Sequence, residues 1–211
     1  MYIAIEGVIG VGKTTLARLL QPSFNAELLL EIFEENPFLS DFYSDRKRYA
    51  FQTQIFFLLS RYHQQREGVR DVLQNASALI SDYTFRKDRL FAEVNLEGDE
   101  LEMYYRVHEA LAEKVTTPDL IVYLQADTDV LMQRIAQRDR PYERQMEVAY
   151  IDILNHTYDT HFGHNPSKNV LAINTNDLDY VRSPKDLDIV DQRIRQALKL
   201  APFQESLPMD L

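Results

Sequence analysis

Cysteine is absent from these 211 residues. That excludes a disulfide framework, a thiolate metal site and a thiol nucleophile, and leaves the fold to rest on its core. Such usage suits a reducing cytoplasm. Positive charge is in deficit: 33 acidic residues against 23 basic ones give a formal charge of −10. This balance argues against nucleic acid or an anionic membrane as the main partner, although a local arginine cluster could still hold a small phosphate ligand. Long hydrophobic runs are missing as well. The longest, Ile55-Phe56-Phe57-Leu58-Leu59, is far too short to cross a bilayer. The N-terminus enters an apolar run at once, without the basic and apolar regions of a secretory signal. The expectation is a cytoplasmic protein, or the mature product of something longer. No repeat, low-complexity tract or Gly/Ser linker interrupts the chain, and its length suits one full α/β domain over residues 1–211.

Glycine is scarce, yet three of the six fall within Gly7-Val8-Ile9-Gly10-Val11-Gly12-Lys13-Thr14-Thr15, directly after the apolar run Tyr2-Ile3-Ala4-Ile5. This is G-x-x-x-x-G-K-T between a short strand and a helix, the phosphate-cradling P-loop. The glycines let successive N–H groups converge on one anion, and the helix that follows adds its positive end. Gly7, Gly10, Val11, Gly12, Lys13, Thr14 and Thr15 are therefore the candidate triphosphate site. Lys13 would neutralise the β/γ-phosphates, and the Thr14 hydroxyl would ligate Mg²⁺. The implied ligand is a nucleoside triphosphate.

Short apolar runs separated by helix-period stretches mark the buried strands of an α/β sheet. The strand candidates are residues 2–5, 27–30, 78–81, 120–124 and 170–173. Helical patterns cover 13–20, a long stretch from 46 to 74, 99–114, 130–138, 146–160 and 184–199, with Asp127-Thr128 as an N-cap pair for the fourth. Residues 201–211, with Pro202 and Pro208, read as a surface extension. Five strands alternating with helices predict a doubly wound parallel sheet, with helices on both faces and the site at the strand carboxyl ends.

A P-loop alone does not choose between kinases, GTPases and ATPases. The guanine-reading Asn-Lys-x-Asp motif is absent. The strand Ala78-Leu79-Ile80-Ser81 ends in Asp82-Tyr83, a carboxylate for the Mg²⁺ side without the adjacent glutamate of a hydrolytic site. Transfer to a bound hydroxyl is favoured over hydrolysis. A second constellation is Arg134-x-x-x-Arg138-x-Arg140-Pro141-x-Glu143. Arg134 and Arg138 share a helix face and Arg140 lies just beyond. Three guanidiniums on one element match the charge compensation that a migrating phosphoryl group needs, so an arginine-rich lid is expected over residues 138–146.

These motifs and the spacing around them resemble the deoxynucleoside kinase family, in its bacterial branch, over nearly the whole chain. Glu31, in Glu31-Ile32-Phe33-Glu34-Glu35-Asn36-Pro37, falls at the position of the family's general base. Phe42-Tyr43 resembles its sugar-binding aromatic pair. Gln54 stands where a glutamine reads the nucleobase, and Ser60-Arg61 is like the family's Ser-Arg pair. Asp82 and Asp88 match its third-strand motif, and Phe57 stands at a position that lines the base pocket. One departure is clear: Tyr83 replaces an arginine that orients the 5′-hydroxyl and the phosphate. The resemblance passes that role to a lid arginine, to Arg86 or to Lys87.

The resemblance implies a P-loop kinase fold, ATP and Mg²⁺ as cofactors, and a homodimer. It implies phosphorylation of the 5′-hydroxyl of a deoxynucleoside, a purine one or deoxycytidine because of the Arg61/Asp88 combination. Glu31, at the carboxyl end of a strand beside the P-loop strand, would accept the hydroxyl proton. Tyr43 and Glu143 would bracket the 3′-hydroxyl, and Gln54 would offer a paired donor and acceptor to the base. Tyr83 joins these as a substrate-side residue. Two other classes remain open on sequence: a nucleoside monophosphate or other small-metabolite kinase, and a catalytically silent relative. Lys13 and the lid arginines, all present, speak against the second. His156, His161 and His164 lie close in sequence but have no completing ligand, and read as surface or helix-end residues.

Overall fold

Five strands lie parallel in the order β2-β3-β1-β4-β5 in the computed structural model, which describes residues 1–163 and 168–203. They are β1 (Tyr2–Glu6), β2 (Glu27–Leu29), β3 (Leu79–Ser81), β4 (Leu120–Gln125) and β5 (Val170–Asn174). Burial on both faces explains why β1, β3 and most of β4 read as unbroken apolar runs rather than alternating ones. β1 is central, pairing with β3 through Ile3↔Ile80 and with β4 through Ala4↔Ile121. The chain runs first to one side of β1 and later to the other. The order therefore reverses around β1, and this opens a crevice at its carboxyl end.

One sequence expectation fails here. The strand leading to Glu31 is not beside the P-loop strand, because β3 lies between β2 and β1. Strand neighbours in a parallel sheet are set by crossovers, which local sequence does not reveal.

The helices are α1 (Lys13–Phe24), α2 (Leu39–Ser44), α3 (Arg46–Gln64), α4 (Arg70–Asn75), α5 (Arg86–Asn95), α6 (Gly98–Ala112), α7 (Thr128–Arg138), α8 (Val148–Tyr158) and α9 (Pro184–Ala197). The long expected helix over 46–74 is real but not uniform, since a π turn at Gln65–Val69 separates α3 from α4. α3 starts at Asp45, whose side chain accepts from the Arg48 N–H at 3.2 Å. α2 and α5 had no clear signature: α2 is six residues long, and α5 is rich in charge. The proposed cap at Asp127 is correct in position only. Its side chain makes no capping bond, and the Thr128 hydroxyl donates to Asp152 instead.

The core gathers the sheet residues with Leu16, Leu20, Leu58, Leu131, Ile151 and Ile194, all at most 1% exposed. Among the described residues no helix is long and apolar enough to cross a membrane. His156 is exposed and His161 bonds Glu93 at the surface. His164 and the tail from residue 204, with Pro208, lie outside the described residues.

Candidate active site

The loop between β1 and α1 can turn only because its glycines take backbone angles that side chains resist. Gly7, Gly10 and Gly12 have φ of +145°, +88° and +101°. A Cβ on Gly7 would meet the Leu124 carbonyl oxygen at 2.6 Å, and one on Gly12 would meet the Tyr180 hydroxyl at 2.4 Å. The first-turn N–H groups of α1, which no helical carbonyl can pair, face this loop. Lys13 Nζ folds over it and donates to the carbonyls of Gly7 and Val8 at 2.8 and 3.0 Å. Burial, then the like charge of Lys87, push its ammonium down to about 8. An arriving triphosphate would reverse that pressure.

Behind the loop, Glu6 is fully buried. Oε1 accepts from the N–H and hydroxyl of Thr84 at 2.6 and 2.7 Å, and Oε2 from the Gly7 N–H at 3.3 Å. One carboxylate thus ties the P-loop to the turn after β3. Burial raises its pKa against the opposing pull of Lys87 and Thr84.

At the end of β3, Asp82 holds two elements at once. Its Oδ1 accepts from the Glu31 backbone N–H at 2.8 Å, and its Oδ2 takes a short hydrogen bond from the Thr14 hydroxyl. Glu31 therefore reaches the crevice through Asp82 although β2 is two strands from β1. The Glu31 side chain is 12% exposed and lies between two cations. Arg61 donates to Oε1 through Nε at 2.8 Å and Nη2 at 2.5 Å, and Lys87 donates to Oε2 at 2.6 Å. Burial pushes this carboxyl up, but Lys87 and Arg61 outweigh it and hold the group well below the usual carboxylate range. Arg61 also donates to Asp88 Oδ1 through a very short contact, and lies 4.3 Å above the Phe57 ring.

One cleft is lined by Lys13, Thr14, Glu31, Tyr43, Phe57, Arg61, Asp82, Arg138, Arg140 and Glu143, all expected from sequence, and by Phe33, Lys87, Phe91 and Tyr142, which were not among the expected site residues. Its free volume is about 100 Å³. Its roof is the segment after α7. Arg138 makes bonds of 2.6 Å to both Glu143 oxygens, Arg140 stands 3.7 Å from Glu143 and 4.1 Å over Phe33, and Tyr43 stacks on Tyr142 at 5.8 Å.

A second, larger cavity of about 640 Å³ adjoins the outer side of the P-loop. Gly10, Val11, Gly12 and Thr15 form one wall, α7 another, and residues 176–182 a third; Gly10 and Arg138 belong to both spaces.

Four expected site residues lie elsewhere. Arg134 does not join Arg138 and Arg140. It donates to the Thr175 carbonyl at 2.7 Å and the Val11 carbonyl at 3.3 Å, bracing the loop and walling the larger cavity. Tyr83 is fully buried, its hydroxyl donating to Gln64 at 2.5 Å, and it does not wall the cleft. Its ring follows β3 into the core, and Lys87 and Arg61 are the cations that bond Glu31. Gln54 and Asp88 lie behind the wall, 1% and 0% exposed. Gln54 Oε1 and Asp88 Oδ2 have no hydrogen-bond partner among the described residues. A buried acceptor without a partner is an unmet cost.

Lys87 had a weak signal in sequence, as one of three substitutes for the missing arginine. Tyr142 and Tyr180 had none, because their roles come from loops whose path only the fold defines. Tyr180 donates to the Val11 carbonyl at 3.2 Å and so backs the P-loop from 169 residues away.

Known proteins resemble this chain in sequence and in fold. A sequence model of the deoxynucleoside kinase family matches residues 3–199. The chain is 33% identical over 201 residues to the deoxyguanosine kinase of Bacillus subtilis (strain 168), covering 93% of this chain and 97% of that one. It is 28% identical over 199 residues to the deoxyadenosine/deoxycytidine kinase of the same organism, covering 90% of each. A solved structure of deoxyadenosine kinase from M. mycoides, with dCMP and a flexible dCDP as bound products, shares the fold at a TM-score of 0.80. It has 24% identity, and the match covers 93% of this chain and 100% of that one.

Proposed function

The chain belongs to the deoxynucleoside kinase family, and we propose that this one domain moves the γ-phosphoryl group of ATP·Mg²⁺ to the 5′-hydroxyl of a deoxynucleoside. The observation that carries the proposal is the pair of spaces meeting at Gly10 and Arg138, one on each side of the P-loop. The larger takes the donor nucleoside, with Arg134 fixing its floor. The smaller takes the acceptor.

Glu31 is the group to receive the hydroxyl proton. A carboxylate held ionised by two cations is a weak base but always available, and positioning is what phosphoryl transfer asks of the protein. The hydroxyl proton goes to Glu31, the acceptor oxygen bonds to phosphorus, and the bond to the ADP oxygen breaks. Lys13, Arg138 and Arg140 offset the charge spread over the phosphoryl oxygens. Tyr43 and Glu143 hold the sugar. Phe57 packs on the base while Gln54, Arg61 and Asp88 read its edge, which favours a purine deoxynucleoside or deoxycytidine. The deoxyguanosine and deoxyadenosine kinases among the relatives support the same preference.

Thr14 and Asp82 fit Mg²⁺: two hard oxygens already in contact beside the phosphate loop. Among the described residues no group of three or more His, Cys, Asp or Glu forms a metal cage, so the ion would arrive with the triphosphate and neutralise its charge there. Ligand sites ordinarily offer roughly 300–1,000 Å³. At about 100 Å³ the acceptor cleft is closed down, and the lid near 138–146 must draw back to admit a nucleoside. We also place the enzyme in the cytoplasm and as a homodimer, the dimer being what membership of the family implies.

The test is one assay with γ-labelled ATP across the four deoxynucleosides, with dAMP as a parallel acceptor. Label on a deoxynucleoside 5′-monophosphate supports the reading. Label only on a diphosphate made from dAMP would replace it with a monophosphate kinase.

A further inference from the structure

A lysine is seldom buried unless paired or chemically employed. Lys87, in the first turn of α5, is 7% exposed, and its Nζ lies 2.6 Å from Glu31 Oε2. It walls the acceptor cleft together with Lys13, Thr14 and Asp82. Its field reaches Glu6, Glu31 and Asp88 on three different elements, and it works against the ammonium of Lys13.

Holding Glu31 does not by itself explain this lysine. Arg61 already bonds Glu31 Oε1 twice, and a buried ion pair is weak evidence of net stabilisation. Two ammoniums line this one small cleft and repel each other, against the pull of Glu6, Glu31 and Asp82 on Lys13, and an added anion between them would ease that repulsion further. An ammonium has three donors, and the bond to Glu31 uses one. Among the described residues Nζ makes that one hydrogen bond, and the cleft it lines with Lys13, Thr14 and Asp82 is where a terminal phosphate would sit.

Resting on the kinase reading above, we propose that Lys87 is a catalytic cation: it keeps one N–H on Glu31 and places another on an oxygen of the migrating phosphoryl group. It thereby fixes the distance between the proton acceptor and the phosphorus. In the transfer the acceptor oxygen bonds to phosphorus, the bond to the bridging oxygen of ADP breaks with its electron pair staying on ADP, and the hydroxyl proton passes to Glu31. Lys87 gives and takes no proton. It stabilises negative charge that grows in the transition state, as an oxyanion donor does.

The experiment compares the wild type with K87M and K87R, measuring kcat and KM for deoxynucleoside and ATP, the dissociation constant of the deoxynucleoside, and the thermal midpoint. Removing one such donor lowers kcat about 10²- to 10³-fold, while the dissociation constant should move less than about threefold. K87R, which keeps the charge, should recover at least a tenth of the lost rate. A K87M kcat within threefold of wild type overturns the proposal and leaves the kinase reading intact. So does a parallel loss of binding and thermal midpoint in both variants, which marks Lys87 as a structural ion-pair partner. A wild type that phosphorylates no deoxynucleoside overturns the kinase reading and this proposal with it.

Discussion

Replacing Arg61 by methionine should damage the fold more than any exposed charge replacement could. Arg61 bonds Glu31 and Asp88 together while only 6% of its side chain is exposed. In R61M, Glu31 keeps Lys87, but Asp88 Oδ1 loses its partner next to an Oδ2 that already has none. Breaking a buried pair by removing one member costs about 3–5 kcal/mol. At roughly 2–4 °C per kcal/mol for a chain of this size, the thermal midpoint falls by about 6–20 °C. The cost lies in the carboxylate left behind, so neutralising it should restore stability. R61M/D88N should be more stable than the sum of the two single losses by roughly 1–3 kcal/mol. Urea denaturation of the four proteins measures this directly. Simple additivity, or an R61M loss under about 1 kcal/mol, would refute the account of Arg61 as the hydrogen-bonded counter-charge of Asp88.

Two further results follow from the site. Gly7→Ala combines a left-handed backbone angle with a Cβ at 2.6 Å from a backbone oxygen; strain of about 1–2 kcal/mol and overpacking of about 1–3 kcal/mol together predict at least a thirtyfold loss in affinity for an ATP analogue or an equivalent loss of stability. Gly98→Ala, at φ +59° but with nothing within 4 Å of its Cβ, carries the backbone strain without the clash and should leave nucleotide affinity unchanged; equal losses of affinity in both would contradict the packing argument. Glu31 has a native pKa below its ordinary value of 4.5, so on acidification the unfolded chain takes up this proton first. Its contribution is complete above about pH 4.5 and is lost as the pH falls toward the native value. E31Q lacks that term, so its thermal midpoint should fall less steeply than the wild type's between about pH 5 and 3; parallel slopes would show that Glu31 is not stabilised by Lys87 and Arg61.

Much of the site was legible in sequence because it is written in local patterns. The P-loop declares itself through Gly7, Gly10, Gly12 and Lys13, whose spacing is the geometry. Asp82 follows a strand that its apolar run marks. Arg138, Arg140 and Glu143 sit within six residues and line one cleft, with both arginines on Glu143, a pairing that their spacing did not announce. What sequence hides is direction and neighbourhood. Arg134 shares a helix face with Arg138, yet a short reach to the Thr175 and Val11 carbonyls takes it to the other cavity. Tyr83 stands where the resembled motif has an arginine, but its ring is buried in the core. Lys87 is a charged residue on a short, charge-rich helix, so only the fold shows that it bonds Glu31. The order of β2 and β3 was hidden for a related reason: parallel neighbours are joined by crossovers, and their pairing leaves no mark in either strand.

The most direct test of the central claim is the turnover of E31Q, measured with ATP·Mg²⁺ and the deoxynucleoside the wild type uses best. Turnover should fall by about 10²-fold or more, the size of a general-base contribution, with the deoxynucleoside dissociation constant retained. Near-normal turnover in E31Q would contradict that claim and remove Glu31 as the acceptor of the hydroxyl proton.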